Sequence, residues 1–423
     1  MSRLPSGGLL YVVCRDELRI APELFLKIFA TDFATNLCLC ILANLIVFTV
    51  NGLTIVIFKY MLKSIYLEIT NERKINMVKK LPIKLQREIN NLMYNAAYLS
   101  IILNYDNMYP WFYENYTQLY FTSNKIRFET NTKEIFMDFY GGWTAPKALF
   151  DLKYMTKYEL EEKNKVDLIK RILNKDEYIF TYIDEYYVGE KEHNSHDVLI
   201  YGYDDDREEF SVLGFKDNFF VDYAVDYSLF EKSFNSSLQI AKENTTKERK
   251  YQLISLTPLF DENTEYKFDL YKFMSVFKQY LNSEYSKLNL YDDTIYEDGI
   301  LGIQIYTKLL EALQNPSGEK QEFDYRLVHT LYEHKKIMLE RVEYIYKSVL
   351  MAEIPTALQN GIESIVELAN TIRLQAIEYV FTNDNAILYA IGREIERLYA
   401  EEKETYNALY NELRNSILSR SFA

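Results

Sequence analysis

The chain has 423 residues, a hydrophobic fraction of 48% and a formal net charge of -14. That length allows two or three domains at the usual ~100 to 200 residues each, and the apolar content suffices for true cores, which excludes a disordered chain. A pI near 5.0 without a concentrated basic face excludes a nucleic-acid partner, because binding phosphates needs clustered Lys and Arg.

Residues 1 to 76 differ from the rest. They carry eight Lys/Arg against six Asp/Glu and three of the 38 tyrosines, while the remainder carries 40 against 56. All three cysteines, Cys14, Cys38 and Cys40, fall here, so a disulfide framework is excluded for residues 77 to 423, in keeping with a reducing cytoplasm. Ala34 to Phe58, "ATNLCLCILANLIVFTVNGLTIVIF", has no charge and is as long as the ~20 residues that span a bilayer. Three readings are open: a transmembrane helix over 34–58, a buried core helix or hairpin, and an extension upstream of a natural start at Met77. The flanking Lys59, Lys63, Arg73, Lys74, Lys79 and Lys80 place the C-terminal body in the cytoplasm, where a span would anchor it to the inner face of the membrane.

From 77 to about 262 helical and strand signals mix. Pro110 marks a helix start, and "PWFYENYTQLYF" puts Phe112, Tyr116, Leu119 and Tyr120 at helical spacing. "YIFTYIDEYYVG", "HDVLIYGYD", "EFSVLGF", "FFVDYAVDY" and "YQLISLTPLF" are short, aromatic or β-branched runs between turns, and "DDDRE" joins the second and third as a hairpin. From about 263 to 423 the pattern is helical. In "DYRLVHTLYEHKKIMLERVEYIYKSVL", Leu327, Leu331, His334, Met338, Val342, Ile345 and Val349 form one stripe, and Pro355 and "NDN" break the helices that follow. The expected fold class is α+β, with a late antiparallel sheet followed by a C-terminal helical bundle.

Chemistry centres on His196, at the head of "HDVLIYGYD". A thiol-based hydrolase or transferase needs a cysteine at the start of a helix, an imidazole on a facing strand and an Asn or Asp to orient it. The positions after Pro110 hold Trp111, Phe112, Tyr113 and Glu114, and residues 77 to 423 contain no cysteine. Ser100, Ser123 and Ser195 lie in no nucleophile elbow. Tyr113 is a candidate proton donor, and Asp217 orients His196 only if the return strand slips or bulges. His193 and His196 lack the third and fourth ligands of a zinc site, and no phosphate-binding glycine loop occurs, so neither metal nor cofactor is expected. Asp204, Asp205 and Asp206 read as a solvated turn, and His334 as a satisfied core residue.

"HDVLIYGYDDDREEFSVLGF", "FVDYAVDYSLFEKSF" and "FDYRLVHTLYEHKKIMLERVEYI" resemble the butirosin biosynthesis protein H group over about residues 85 to 350. The resemblance implies a papain-like α+β domain over 77–262. It also implies a place in nonribosomal peptide or polyketide assembly, where the type member moves an acyl group from an acyl carrier protein to an amine. His196 matches the family's base, the cysteine has no match, and Asp217 is the nearest carboxylate for the orienting acid. Two expectations follow: a non-catalytic binding protein for an acyl carrier protein, a peptide or an assembly-line partner, or an acyltransferase with a non-cysteine nucleophile. Lys79, Lys80, Lys84 and Arg87 are the cations nearest to a docking patch for an acidic carrier.

Overall fold

The computed structural model describes residues 77–126, 133–142, 144–160, 164–243, 251–284, 298–314 and 323–421. Contacts divide the chain into Met1–Ile75 and Asn76–Ala423, and every described residue belongs to the second unit. The apolar run 34–58 lies outside the described residues, among which no helix is long and apolar enough to cross a membrane.

The molecule is a mixed α+β structure with antiparallel sheets and a C-terminal helical region. The main sheet has the order β4 (Phe150–Met155), β9 (Leu253–Pro258), β5 (Tyr178–Asp184), β6 (Ser195–Asp204), β7 (Glu209–Lys216) and β8 (Phe219–Asp226), all antiparallel. The short β1 (Val78–Lys80) continues beside β6 where β5 has ended, pairing Lys80 with Gly202. A Cβ on Gly202 would lie 2.6 Å from the Lys79 carbonyl, so this junction needs glycine for close approach of two backbones. One extra residue, Tyr201, bulges between the Ile200–Val212 and Gly202–Ser211 pairs of β6 and β7. A second sheet joins β10 (Ile300–Leu301), β2 (Leu119–Ile126) and β3 (Lys133–Phe139).

β5 and β6 are buried at almost every position, the pattern of strands covered on both faces. The cover comes from α1 (Met93–Ile102), α4 (Lys165–Leu173) and α5 (Tyr227–Glu243), with α2 (Tyr109–Asn115) and the one-turn α3 (Lys157–Leu160) beside them. α1 is apolar nearly all round, and every residue of it except Tyr94 is buried. Its Tyr98 stacks on Phe180 of β5 at 6.3 Å and meets Phe150 edge-on at 5.3 Å. Burial of such side chains at about 1.5–3 kcal/mol each, more than any single polar contact, holds this helix to the sheet.

Two expectations are corrected here. The helix starting near Pro110 ends at Asn115, and Leu119 and Tyr120 belong to β2, because "LYFTSNKI" is aromatic and β-branched and pairs with β3. The helix laid against β6 and β7 is α1, one element earlier than the one expected to face His196.

Beyond the sheet come α6 (Leu270–Asn282), α7 (Ile305–Gln314), α8 (Arg326–Tyr344), α9 (Thr356–Thr382) and α10 (Asn385–Ser421). α9 begins just after Pro355, and Asn383, in the left-handed region, ends it, as the two breaks predict. These helices pack on one another and, through α6, α7 and α8, on α2, β2 and β3. At the centre of the helical region Lys335 pairs with Glu402 at 2.7 Å, both fully buried. Tyr280 and Tyr306 donate to the same carboxylate. Arg341, also buried, donates to the Tyr113 and Tyr116 carbonyls, neutralising the C-terminal end of α2.

Candidate functional site

The candidate site is the end of β5, the start of β6 and the loop between them. Asp184 closes β5 with its side chain fully buried. Its Oδ1 accepts the backbone N–H of Tyr186 (3.2 Å) and Asn194 (3.1 Å), and its Oδ2 accepts the Ser236 hydroxyl at 2.5 Å and His193 Nδ1 at 2.6 Å. The hydroxyl of Ser233 donates to the Asp184 carbonyl, and those of Ser237 and Ser195 pair at 2.5 Å. The serines of "KSFNSS" thus give α5 a polar strip that fits the strand ends, set among Phe230, Phe234 and Leu238. Gly189, with φ of 120°, lets the loop reverse, and the Glu185 N–H closes it on the Asn194 carbonyl at 2.9 Å.

His193 lies on this loop. Its ring stacks on Tyr186 at 4.2 Å and meets Tyr187 edge-on at 5.8 Å, while the side chain stays 54% exposed. Asp184 receives four donors and is an acceptor only, so Nδ1 carries the proton and the lone pair of neutral His193 sits on Nε2.

His196 stands where the sequence places it, on β6 opposite Ile183 of β5. Its Nδ1 is 3.2 Å from the Asp197 carbonyl, 3.3 Å from Asp197 Oδ1 and 3.6 Å from Glu185 Oε1, and its ring meets Phe215 edge-on at 6.1 Å. Burial pushes the Glu185 carboxyl upward, and the charge of His196 works against that rise. None of these three oxygens belongs to a thiol's usual substitute, a serine or threonine hydroxyl.

The other two expected site residues lie elsewhere. Asp217 and Asn218, with φ of 51° and 64°, are the two-residue turn of the β7–β8 hairpin, for which Asp and Asn suit the left-handed backbone. β7 pairs with β8 without interruption through Lys216–Phe219, and the β6–β7 bulge is at Tyr201, so the slip that would turn Asp217 toward His196 is not made. Tyr113 belongs to an aromatic seam with Tyr109 at 5.7 Å and Tyr344 of α8 at 5.3 Å, where burial holds its hydroxyl well above the usual tyrosine range.

Amides flank the start of α1. Asn91 and Asn95 donate to Asp138 Oδ1 at 3.0 and 2.8 Å, and the Tyr94 hydroxyl donates to Oδ2. Burial pushes the Asp138 carboxyl upward against these bonds. The Lys125 ammonium lies over the Phe136 ring at 3.3 Å, and burial lowers its pKa against the charges of Glu134 and Asp138. From Asn90 to Asn95 the chain carries no thiol and no aliphatic hydroxyl.

The remaining candidates are structural. Asp204 caps the β6–β7 turn, and Asp205 bonds Lys170 at 2.5 Å and Tyr227 at 2.9 Å, so two of the three aspartates are tied into the fold. Lys79 pairs with Asp176, Lys80 lies 3.9 Å from Asp222, and Lys84 bonds Tyr109 at 2.5 Å near Glu88. No group of three His, Cys, Asp or Glu among the described residues is set to hold a metal. A scan of protein-family models and a search of curated proteins each found no match to this chain.

Proposed function

We propose that the chain is a butirosin biosynthesis protein H-like protein of papain-like fold that serves nonribosomal peptide or polyketide assembly by binding a partner in its cleft without a covalent bond. The observation that carries this reading is an imidazole at the start of β6, on a strand that α1 covers, while the approach to α1 and its first turn, Asn90 to Asn95, hold amides and a phenol where a thiol would be needed. The partner is an acyl carrier protein or a peptide. Electrostatics favours the peptide, since three of the four cations of the docking patch, Lys79, Lys80 and Lys84, already face carboxylates, and the exposed Arg87 is the one that remains to attract an acidic carrier. The body faces the cytoplasm, held at the inner face of the membrane through 34–58. Titrating the protein with purified carrier and with peptides tests this. Binding that His196→Ala leaves intact, without turnover, supports it, and failure to bind either class contradicts it.

A second reading, acyl transfer to an amine with no cysteine nucleophile, is favoured by the Asp184–His193 pair, which has the geometry of an oriented base. Incubation with acyl-loaded carriers and an amine separates the two, since only this reading forms an amide.

A further inference from the structure

We propose that His193, oriented by Asp184, is the general base of a direct transfer in which a solvent-borne amine attacks an acyl thioester; this rests on the second reading above. His193 meets three requirements of a base that His196 does not combine. Its Nδ1 is anchored by one short bond, 2.6 Å, to a fully buried carboxylate, whereas the Nδ1 of His196 is shared among oxygens at 3.2, 3.3 and 3.6 Å. Its ring plane is fixed by Tyr186 at 4.2 Å. Its side chain is 54% exposed, against 34% for His196, so the ring is more open to a substrate arriving from solvent. The carboxylate itself is pinned by two backbone N–H groups and by Ser236 of α5, so the imidazole is held by the body of the fold.

The transfer balances without a covalent enzyme intermediate. The amine nitrogen attacks the thioester carbonyl carbon, its N–H proton passes to His193 Nε2, the C–N bond forms and the C–S bond breaks. The proton then goes from Nε2 to the departing thiolate sulfur, and His193 ends neutral as it began. The substrates are an acyl thioester and a primary amine, and no oxidant or reductant is consumed. Attack requires the amine in its neutral form, and Glu190 and Glu192, exposed on the same loop, disfavour approach of a carboxylate or phosphate.

The test uses the full chain, an acyl-pantetheine thioester and a primary amine, with amide product counted by mass. His193→Gln lowers kcat by about 10²- to 10⁴-fold with little change in KM, the usual worth of a general base, and added imidazole restores part of the activity lost in His193→Ala. Asp184→Asn, which touches no reacting atom and also disturbs the bonds from Tyr186, Asn194 and Ser236, lowers kcat as well and abolishes the Nδ1–H proton resonance. A His193→Gln variant as fast as wild type overturns the base assignment while leaving transfer standing. A wild-type chain that forms no amide overturns the transfer reading and the base role together.

Discussion

In the helical region His334 spends both ring nitrogens inside the protein, whereas at the β5–β6 edge His193 spends one. His334 Nε2 donates to the Thr117 carbonyl at 2.8 Å, and its Nδ1 accepts from Lys335 at 3.1 Å, with the ring stacked on Tyr280 at 4.9 Å and wholly buried. Burial and the neighbouring Lys335 hold it well below the ordinary histidine range, so it stays neutral. His193 has the same kind of anchored nitrogen and aromatic support, but its side chain is half-exposed. The difference teaches that burial of a histidine and orientation of a histidine are separate properties. The first locks a core, and only the second, combined with exposure, leaves chemistry available.

The largest effect is expected in the helical region. Lys335→Met leaves Glu402 buried without its cation and should cost about 3–5 kcal/mol in urea unfolding, because an uncompensated buried charge is far more expensive than a lost contact. Replacing both, Lys335→Met with Glu402→Leu, should recover much of that loss. A single variant of wild-type stability would show that the network is not the lock we describe.

Next comes Asp184→Ala, which strips four donors of their acceptor and should cost about 2–3 kcal/mol, with the loop from 185 to 194 losing amide-exchange protection first. Uniform loss of protection across the sheet would instead place Asp184 in the global core.

The pH dependence of the helical region has a definite sign. A histidine whose folded value is depressed binds its proton more readily in the unfolded chain, so His334 favours the folded state above ~6.5 and that contribution is lost as pH falls below it. The slope is at most about 1.4 kcal/mol per pH unit for this one proton, and thermal melts between pH 7 and 5 read it. His334→Gln, whose amide can still donate to Thr117, should flatten that slope, and an unchanged slope would assign the acid sensitivity to other groups.

The smallest effect is at the turn. Asp217→Gly should change stability by no more than about 0.5 kcal/mol, while Asp217→Val, β-branched at positive φ, should cost about 1–2 kcal/mol. A large loss of binding or turnover in Asp217→Gly would return that residue to the site.

The strands were legible as short aromatic or β-branched runs punctuated by turns such as "DDDRE", and the stripe on α8 because one-sided burial leaves a period in the sequence. α1 was not. Its residues Met93 to Ile102 are buried on almost every side, so no polar face marks the helix, and the Pro110 signal one element later drew the expectation to the wrong place. The place of Asp217 just past the return strand makes it a candidate orienting acid in the sequence, whereas the left-handed Asp-Asn turn explains its presence there. The Asp184–His193 pair is nine residues apart and could be noticed as a spacing, but its strength comes from Ser236 on α5, 52 residues beyond Asp184, which no local pattern reveals.

The contrast between the two histidines has a direct measurement. The chain contains only four, His193, His196, His329 and His334, so a long-range proton–nitrogen spectrum of the imidazoles can be assigned by single substitutions. At neutral to mildly alkaline pH the account predicts that His193 carries its proton on Nδ1, with an exchange-slowed downfield resonance lost in Asp184→Asn, and that His334 carries its proton on Nε2. A His193 with its proton on Nε2, or one averaging rapidly between tautomers, would contradict it.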